Sequence, residues 1–189
     1  MSGITATGVR AARAGIGAAL LAATLGAHAA GAAEDCRHAG GHGLWRYECA
    51  GAACALSPVA VPVMDGHGTH TDEAFGFRLD IAPPARIRVS APAGTVADRL
   101  QASANAGVIA ETAADGDGGF VFSKPGQVMA LVDALEAGQR LLLVFLDKGR
   151  GVNTAVAAVG HDGFAATLGE AFGAAETARR AGTGGSCAP

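Results

Sequence analysis

Residues 75–90 read FGFRLDIAPPARIRVS, and this stretch decides the fold class. On both sides of Pro83 and Pro84, apolar residues alternate with polar ones, which is the pattern of a β-strand with one buried face. The two prolines interrupt the alternation, so two short strands joined by a turn are predicted. Arg86 and Arg88 would share one strand face, where we expect a solvated or edge-protecting pair; an anion-binding pair is the alternative.

Short strands separated by Gly and Pro turns continue along the chain. Further strands are predicted at 44–48, 55–59, 96–100, 107–112, 120–122, 140–146 and 152–159. Residues 140–146 are the most apolar and should form a central strand, with 152–159 as its antiparallel partner. Helical spacing of apolar residues marks 127–138, capped by Gly138, and a second short helix is predicted at 162–172. The sequence predicts an all-β protein, an antiparallel β-sandwich of immunoglobulin-like type with one or two short helices.

The first 33 residues have the order of a secretory signal peptide. Arg10 and Arg13 precede a short apolar run at 16–25, and several small residues then offer alternative cleavage points up to Ala33. An uncleaved membrane anchor is the alternative. The apolar run disfavours it, because a bilayer-spanning helix needs roughly 20 apolar residues. Residues 34–180 are then expected to form a single domain, and residues 181–189 a flexible C-terminal tail. The expected location is the periplasm or the cell surface.

Charge narrows the class of partner. The chain carries a net charge of −3, and loss of the two leader arginines would bring it to −5. This mild acidity gives no electrostatic reason to expect nucleic acid or an anionic membrane as a partner. No segment after the leader is long and apolar enough to cross a bilayer. We expect a monomer that binds a protein partner at the cell envelope.

Four cysteines follow the leader, and in an exported chain an even number favours disulfides over metal sites. Cys49 and Cys54 flank the tip of a predicted hairpin and are expected to pair. Cys36 and Cys187 would then tie the two ends of the domain together. The alternatives are a cross-connection among the four, or disorder at one end of the chain. Trp45, close to Cys49, is expected to pack on the disulfide in the core.

The chemical hypothesis that the sequence offers is a metal site. Imidazole and carboxylate ligands for Zn²⁺ or Cu²⁺ could come from one polar loop, supplemented from near the mature N-terminus. The candidate ligands are His67, His70, Asp65 and Asp72 in the loop, and His38 and His42 nearer the N-terminus. The alternative is a solvated loop whose histidines bind nothing, and the sequence implies no cofactor.

Motifs of catalysis are missing from the sequence. There is no Gly-X-Ser-X-Gly nucleophile motif and no Gly-rich phosphate loop. The chain is therefore predicted not to be an enzyme. A hydrolase whose residues converge only in three dimensions is the alternative.

The order of these segments resembles the invasion-associated locus B family. The resemblance spans Leu44 to Phe172 and rests on the order and spacing of short motifs. The matching residues are 45–49 with 54–56, then 87–92, 134–141 with the strand to Phe145, and 163–168. That family usually has another cysteine pair ahead of the helical segment, where this chain has none. The resemblance implies a β-sandwich at the cell envelope with a role in host-cell entry, and it brings no catalytic residues.

Overall fold

Two six-stranded antiparallel β-sheets and two helices make up the part of the chain that the structure describes. This computed structural model covers residues 37–71, 75–105, 107–116 and 119–182. The elements are β1 (Arg37–Gly40), β2 (Trp45–Ala50), β3 (Ala53–Pro58), β4 (Val63–Asp65), β5 (His70–Thr71), β6 (Gly76–Asp80), β7 (Arg86–Ser90), β8 (Arg99–Ala104), β9 (Gly107–Ala113), β10 (Gly119–Phe122), α1 (Pro125–Glu136), β11 (Leu141–Asp147), β12 (Val152–Val159) and α2 (Phe164–Gly182). The predicted signal peptide lies outside the described residues.

The strand order confirms the predicted all-β sandwich. Sheet 1 has the order β1-β2-β3-β6-β7-β10, and sheet 2 has the order β5-β4-β12-β11-β8-β9. Strand β11, which the sequence marks as central, lies between β12 and β8, and β12 is its antiparallel partner as predicted.

The core lies between the sheets and follows the alternation in the sequence. On β6, Phe77 and Leu79 are buried while Arg78 between them is exposed. Phe120 of sheet 1 meets Phe145 of sheet 2 edge to face, with ring centroids 5.6 Å apart. Such aromatic pairs join the two sheets through apolar burial and through favourable ring geometry.

Strand β8 begins later than the sequence indicates. The sequence predicts a strand at 96–100, whereas the strand runs from Arg99 to Ala104 and Val96 lies in an exposed connection. The inward residues of β8 are Leu100, Ala102 and Ala104. Two of these are alanines, so their alternation with polar residues gives only a weak hydrophobic signal.

Helix α2 is longer than predicted. It continues from Phe172 to Gly182, so that Ala181 and Gly182, assigned to the tail, form its last turn. Its buried residues recur at helical spacing and are Phe164, Thr167, Leu168, Ala171, Ala175 and Ala178. The helix packs on β1, β2 and β3, where small alanines allow a close approach to the sheet. Residues 183–189 lie outside the described part.

The predicted disulfide between Cys49 and Cys54 is present. The two cysteines lie directly opposite each other on β2 and β3, with Cα atoms 4.0 Å apart. Gly51 in the intervening turn has φ 58°, a positive value that glycine adopts without steric cost. Helix α2 covers the disulfide, with Sγ of Cys54 3.4 Å from the carbonyl oxygen of Ala171. Cys36 and Cys187 lie outside the described residues.

Trp45 is fully buried in the core, as predicted, and its ring partners are two phenylalanines. It packs edge to face on Phe164 of α2 and Phe77 of β6, with centroids 4.8 and 5.7 Å away. Cys49 faces the same core four residues along the strand, which corresponds to roughly 13 Å. The ring contacts of Trp45 are with these two phenylalanines, and all of these residues belong to one core cluster. Its Nε1 donates a hydrogen bond of 2.9 Å to the carbonyl oxygen of Gly160.

Candidate functional site

The four predicted histidine ligands lie on strands or loops of two different sheets. His38 is on β1, opposite Cys49, and is half-buried. His42 follows β1, and its Nε2 is 2.7 Å from Oε1 of Glu170 on α2. His67 and His70 belong to the exposed β4–β5 hairpin of sheet 2.

No metal centre is assembled from the side chains that the structure describes. Within residues 37–71, 75–105, 107–116 and 119–182, no three His, Cys, Asp or Glu side chains are grouped so that they could hold a metal ion. Asp72, the remaining proposed ligand, is outside those ranges. Metal binding stays a prediction, to be tested by zinc or copper titration of the purified chain.

An open cleft of about 630 Å³ lies at one end of the sandwich, where three connections surround it. We call it the loop cleft. It is bounded by the β4–β5 turn, the β7–β8 connection at 92–96 and the start of β12 after the β11–β12 turn. A volume of this size is in the range of ligand-binding clefts.

Asp65 at the end of β4 holds the first of these connections. Its Oδ1 accepts hydrogen bonds from the backbone N–H of Thr69 at 2.8 Å and from that of His67 at 2.9 Å. The N–H of Thr69, and after it that of His67, lowers the pKa of Asp65 below its ordinary value, because both bonds favour the ionised carboxylate. One side chain thus orders the turn that carries His67.

Asp147 organises the β11–β12 turn in a similar way. Its Oδ1 accepts the N–H of Arg150 at 3.1 Å, and its carbonyl oxygen accepts the N–H of Gly151 at 2.8 Å. Gly151 has φ 67°, which suits the closing position of the turn. In the β7–β8 connection the N–H of Thr95 donates to the carbonyl oxygen of Pro92 at 3.1 Å. All three walls of the loop cleft therefore have internal hydrogen bonds.

The lining of the loop cleft combines apolar contact with a few polar groups. Val96 is 65% exposed and Val152 is 48% exposed, although both are apolar. Arg150 and Asn153 supply donors and an acceptor beside them. Thr71 also lines the loop cleft, and its Oγ1 is buried without a hydrogen-bond partner in the described part of the chain. These groups suit non-covalent binding.

Changes at Asp65 should loosen the β4–β5 turn. In Asp65→Ala we expect the N–H groups of His67 and Thr69 to exchange about tenfold faster in NMR, because both lose their acceptor. Because the folded pKa is lowered, the contribution of Asp65 is present above its ordinary pKa and is lost as the pH falls through the folded value. Asp65→Asn keeps an acceptor oxygen without ionising, so protection there should not vary with pH. Equal protection in Asp65→Ala and the original chain would contradict this account.

The sequence did not predict the loop cleft. Its polar loop was considered only as a source of metal ligands, namely His67, His70, Asp65 and Asp72. The cleft forms because Asp65 pairs with Ala155, which brings β4 beside β12 across a long stretch of sequence. No pattern within either segment signals that pairing.

Within the described residues no helix is long and apolar enough to span a bilayer. Comparison with known proteins adds no family to this description. No protein-family model matches the chain, and no curated protein or solved structure does so either.

Proposed function

We propose that the protein is an exported, non-enzymatic protein of the cell envelope that acts by binding a protein partner through the loop cleft. Export is supported by the leader-like order of residues 1–33, and an envelope role by the resemblance to invasion-associated locus B proteins. In this proposal the sandwich is a scaffold, and its end loops make contact with the partner.

The observation that carries the proposal is the exposed apolar surface at Val96 and Val152. Two large apolar side chains face solvent in one concave place, beside polar groups that would fix the orientation of a bound partner. The ordered turns keep the entropy cost of binding low.

Val96→Asp tests the proposal in cells of the source organism. We expect deletion of the gene to lower attachment to host cells, and Val96→Asp to restore about a tenth or less of what the original gene restores. The reason is that a carboxylate would be desolvated at the apolar contact. The measurement is attachment per cell at matched protein abundance in the periplasmic and surface fractions.

Val108→Asp is the matched control. Val108 is 57% exposed on β9 and does not line the loop cleft, so this variant carries the same change of charge at a similar exposure. It should restore attachment fully. If Val96→Asp restores as much as Val108→Asp, the loop cleft is not the binding surface. If the protein is retained in the cytoplasm, export itself is wrong.

A further inference from the structure

The outer face of sheet 1 concentrates arginines from several strands. Residues directly opposite each other in antiparallel strands point to the same side of a sheet. Ala39, Glu48, Ala55, Asp80 and Arg86 form one such row across β1, β2, β3, β6 and β7. The arginines on this side, which we call the arginine face, are Arg37, Arg46, Arg78, Arg86 and Arg88. Five of the chain's 14 Lys and Arg residues therefore share one surface.

This face is positive on a chain that is negative overall. Its strands carry only Glu48 and Asp80 as acidic residues among those described, which leaves a surplus of three positive charges, whereas the whole chain has −3. Asp80 bridges Arg78 and Arg88, with Oδ1 and Oδ2 at 2.8 and 3.0 Å from the two Nε atoms. One carboxylate thus holds two guanidinium groups and neutralises only one of them. The remaining charge is available to an external anion.

Arg37 and Arg86 have no ion pair or hydrogen bond through their side chains to any described residue. Arg86 also belongs to β7, which lies between β6 and β10. The expectation that Arg86 and Arg88 protect a sheet edge is therefore wrong. The position of Arg86 on this face is therefore explained neither by protection of a sheet edge nor by an ion pair with a described residue.

Small residues between the arginines leave a groove across the strands. Two adjoining depressions of about 520 and 310 Å³ meet at Ala53 and Arg78. The first contains Arg37, and the second contains Arg86 and Arg88. From β1 to β7 there are four strand spacings, or roughly 19 Å. The charges are therefore spread along a path, which suits a chain of repeated anions better than one small ion.

We propose that the arginine face binds a linear sulfated polysaccharide. Guanidinium groups form paired hydrogen bonds with planar or tetrahedral oxyanions, and repeated sulfates would engage several arginines at once. The strand residues described on this face include no large exposed apolar side chain, which disfavours insertion into a lipid surface. Nor do they include an aromatic ring on which single-stranded nucleic acid could stack. The preference over duplex DNA rests on the proposed export.

Heparin is the probe, used with the purified full-length mature chain in 150 mM NaCl. We expect saturable binding that weakens steeply with added salt, and no binding to desulfated heparin. The double variant Arg37→Glu/Arg86→Glu should weaken heparin binding at least about tenfold. Because neither arginine has a side-chain partner among the described residues, the thermal unfolding midpoint of this variant should stay within about 2 °C of the original.

A second double variant, Arg140→Glu/Lys148→Glu, is the matched control. Both residues are exposed and lie off the arginine face, and the pair changes the net charge by the same amount. It should alter heparin affinity less than about threefold.

Equal loss in both variants, or no binding of the original chain, would overturn the proposal. Equally tight binding of duplex DNA or of vesicles containing phosphatidylglycerol would overturn the choice of polysaccharide. Export and the loop cleft are tested separately by the fractionation and by Val96→Asp.

Discussion

Replacing Trp45 with alanine is expected to lower the free energy of unfolding by about 3–5 kcal/mol. The side chain is fully buried and touches the rings of Phe77 on β6 and Phe164 on α2. Its removal leaves a cavity at the junction of sheet 1 and α2 that the close-packed surroundings fill only in part. It also leaves the carbonyl oxygen of Gly160 without its donor.

Two further variants separate these contributions. Trp45→Phe keeps most of the ring contact but loses the hydrogen bond and some volume, so we expect a smaller loss of about 1–2 kcal/mol. Phe172→Ala removes an aromatic ring from the same helix, but that ring is 49% exposed, and the change should stay within about 0.5 kcal/mol.

Urea unfolding with the disulfide intact is the measurement. Trp45 is the only tryptophan, so circular dichroism must replace fluorescence as the probe. A loss in Trp45→Ala no larger than that in Phe172→Ala would show that the packing of α2 on sheet 1 does not stabilise the domain.

The parts of the fold that were predictable are those in which side-chain size and polarity report burial directly. On β6 and β7 large apolar residues alternate with charged ones, so the period of two is plain in the sequence. Gly138 marks the end of α1 because its φ of 77° is a conformation that glycine adopts readily. In the hairpin that is closed by Cys49 and Cys54, Gly51 marks the turn in the same way, with φ 58°.

The short strands at the sheet edges could not be predicted in this way. β1 reads RHAG and β5 reads HT, and neither has an apolar alternation of its own. These segments are strands because a neighbour offers hydrogen bonds, as β2 does for β1 and β4 for β5. In the β4–β5 hairpin the turn also depends on the carboxylate of Asp65. Its role is visible only in the structure, where Oδ1 accepts the N–H groups of His67 and Thr69.

Both candidate binding surfaces depend on lateral strand order, which no local pattern encodes. The alternation around Arg78 and Arg88 shows that these residues face away from the core. It does not show that β6 lies beside β7, or that β1 joins the same sheet. The same limit applies to the metal hypothesis, because the sequence does not show how far apart the candidate ligands His42 and His67 lie. The fold places His42 beside Glu170, whereas His67 lies in a turn of the other sheet's β4–β5 hairpin.

Gly163→Ala is expected to lower the free energy of unfolding by about 3 kcal/mol or more, although it adds a single methyl group. Gly163 has φ 81°, and a Cβ atom there would lie 2.0 Å from the carbonyl oxygen of His42. Because that oxygen belongs to the backbone and accepts the N–H of Trp45 at 2.9 Å, it cannot move without disturbing the start of β2. The backbone strain and the steric conflict act together.

Gly173→Ala is the control for Gly163→Ala: it makes the same chemical change within α2, whereas Gly163 directly precedes that helix. Gly173 lies in the exposed part of α2, and a Cβ atom there would meet nothing within 4 Å. Since alanine is the better helix former by about 0.5–1 kcal/mol, this variant should be more stable than the original chain. Opposite signs for the two substitutions in urea unfolding would show that the approach of His42 to Gly163 fixes α2 against sheet 1. A loss of less than about 1 kcal/mol in Gly163→Ala would mean that the 41–44 loop yields easily, and that α2 is held by its buried apolar face alone.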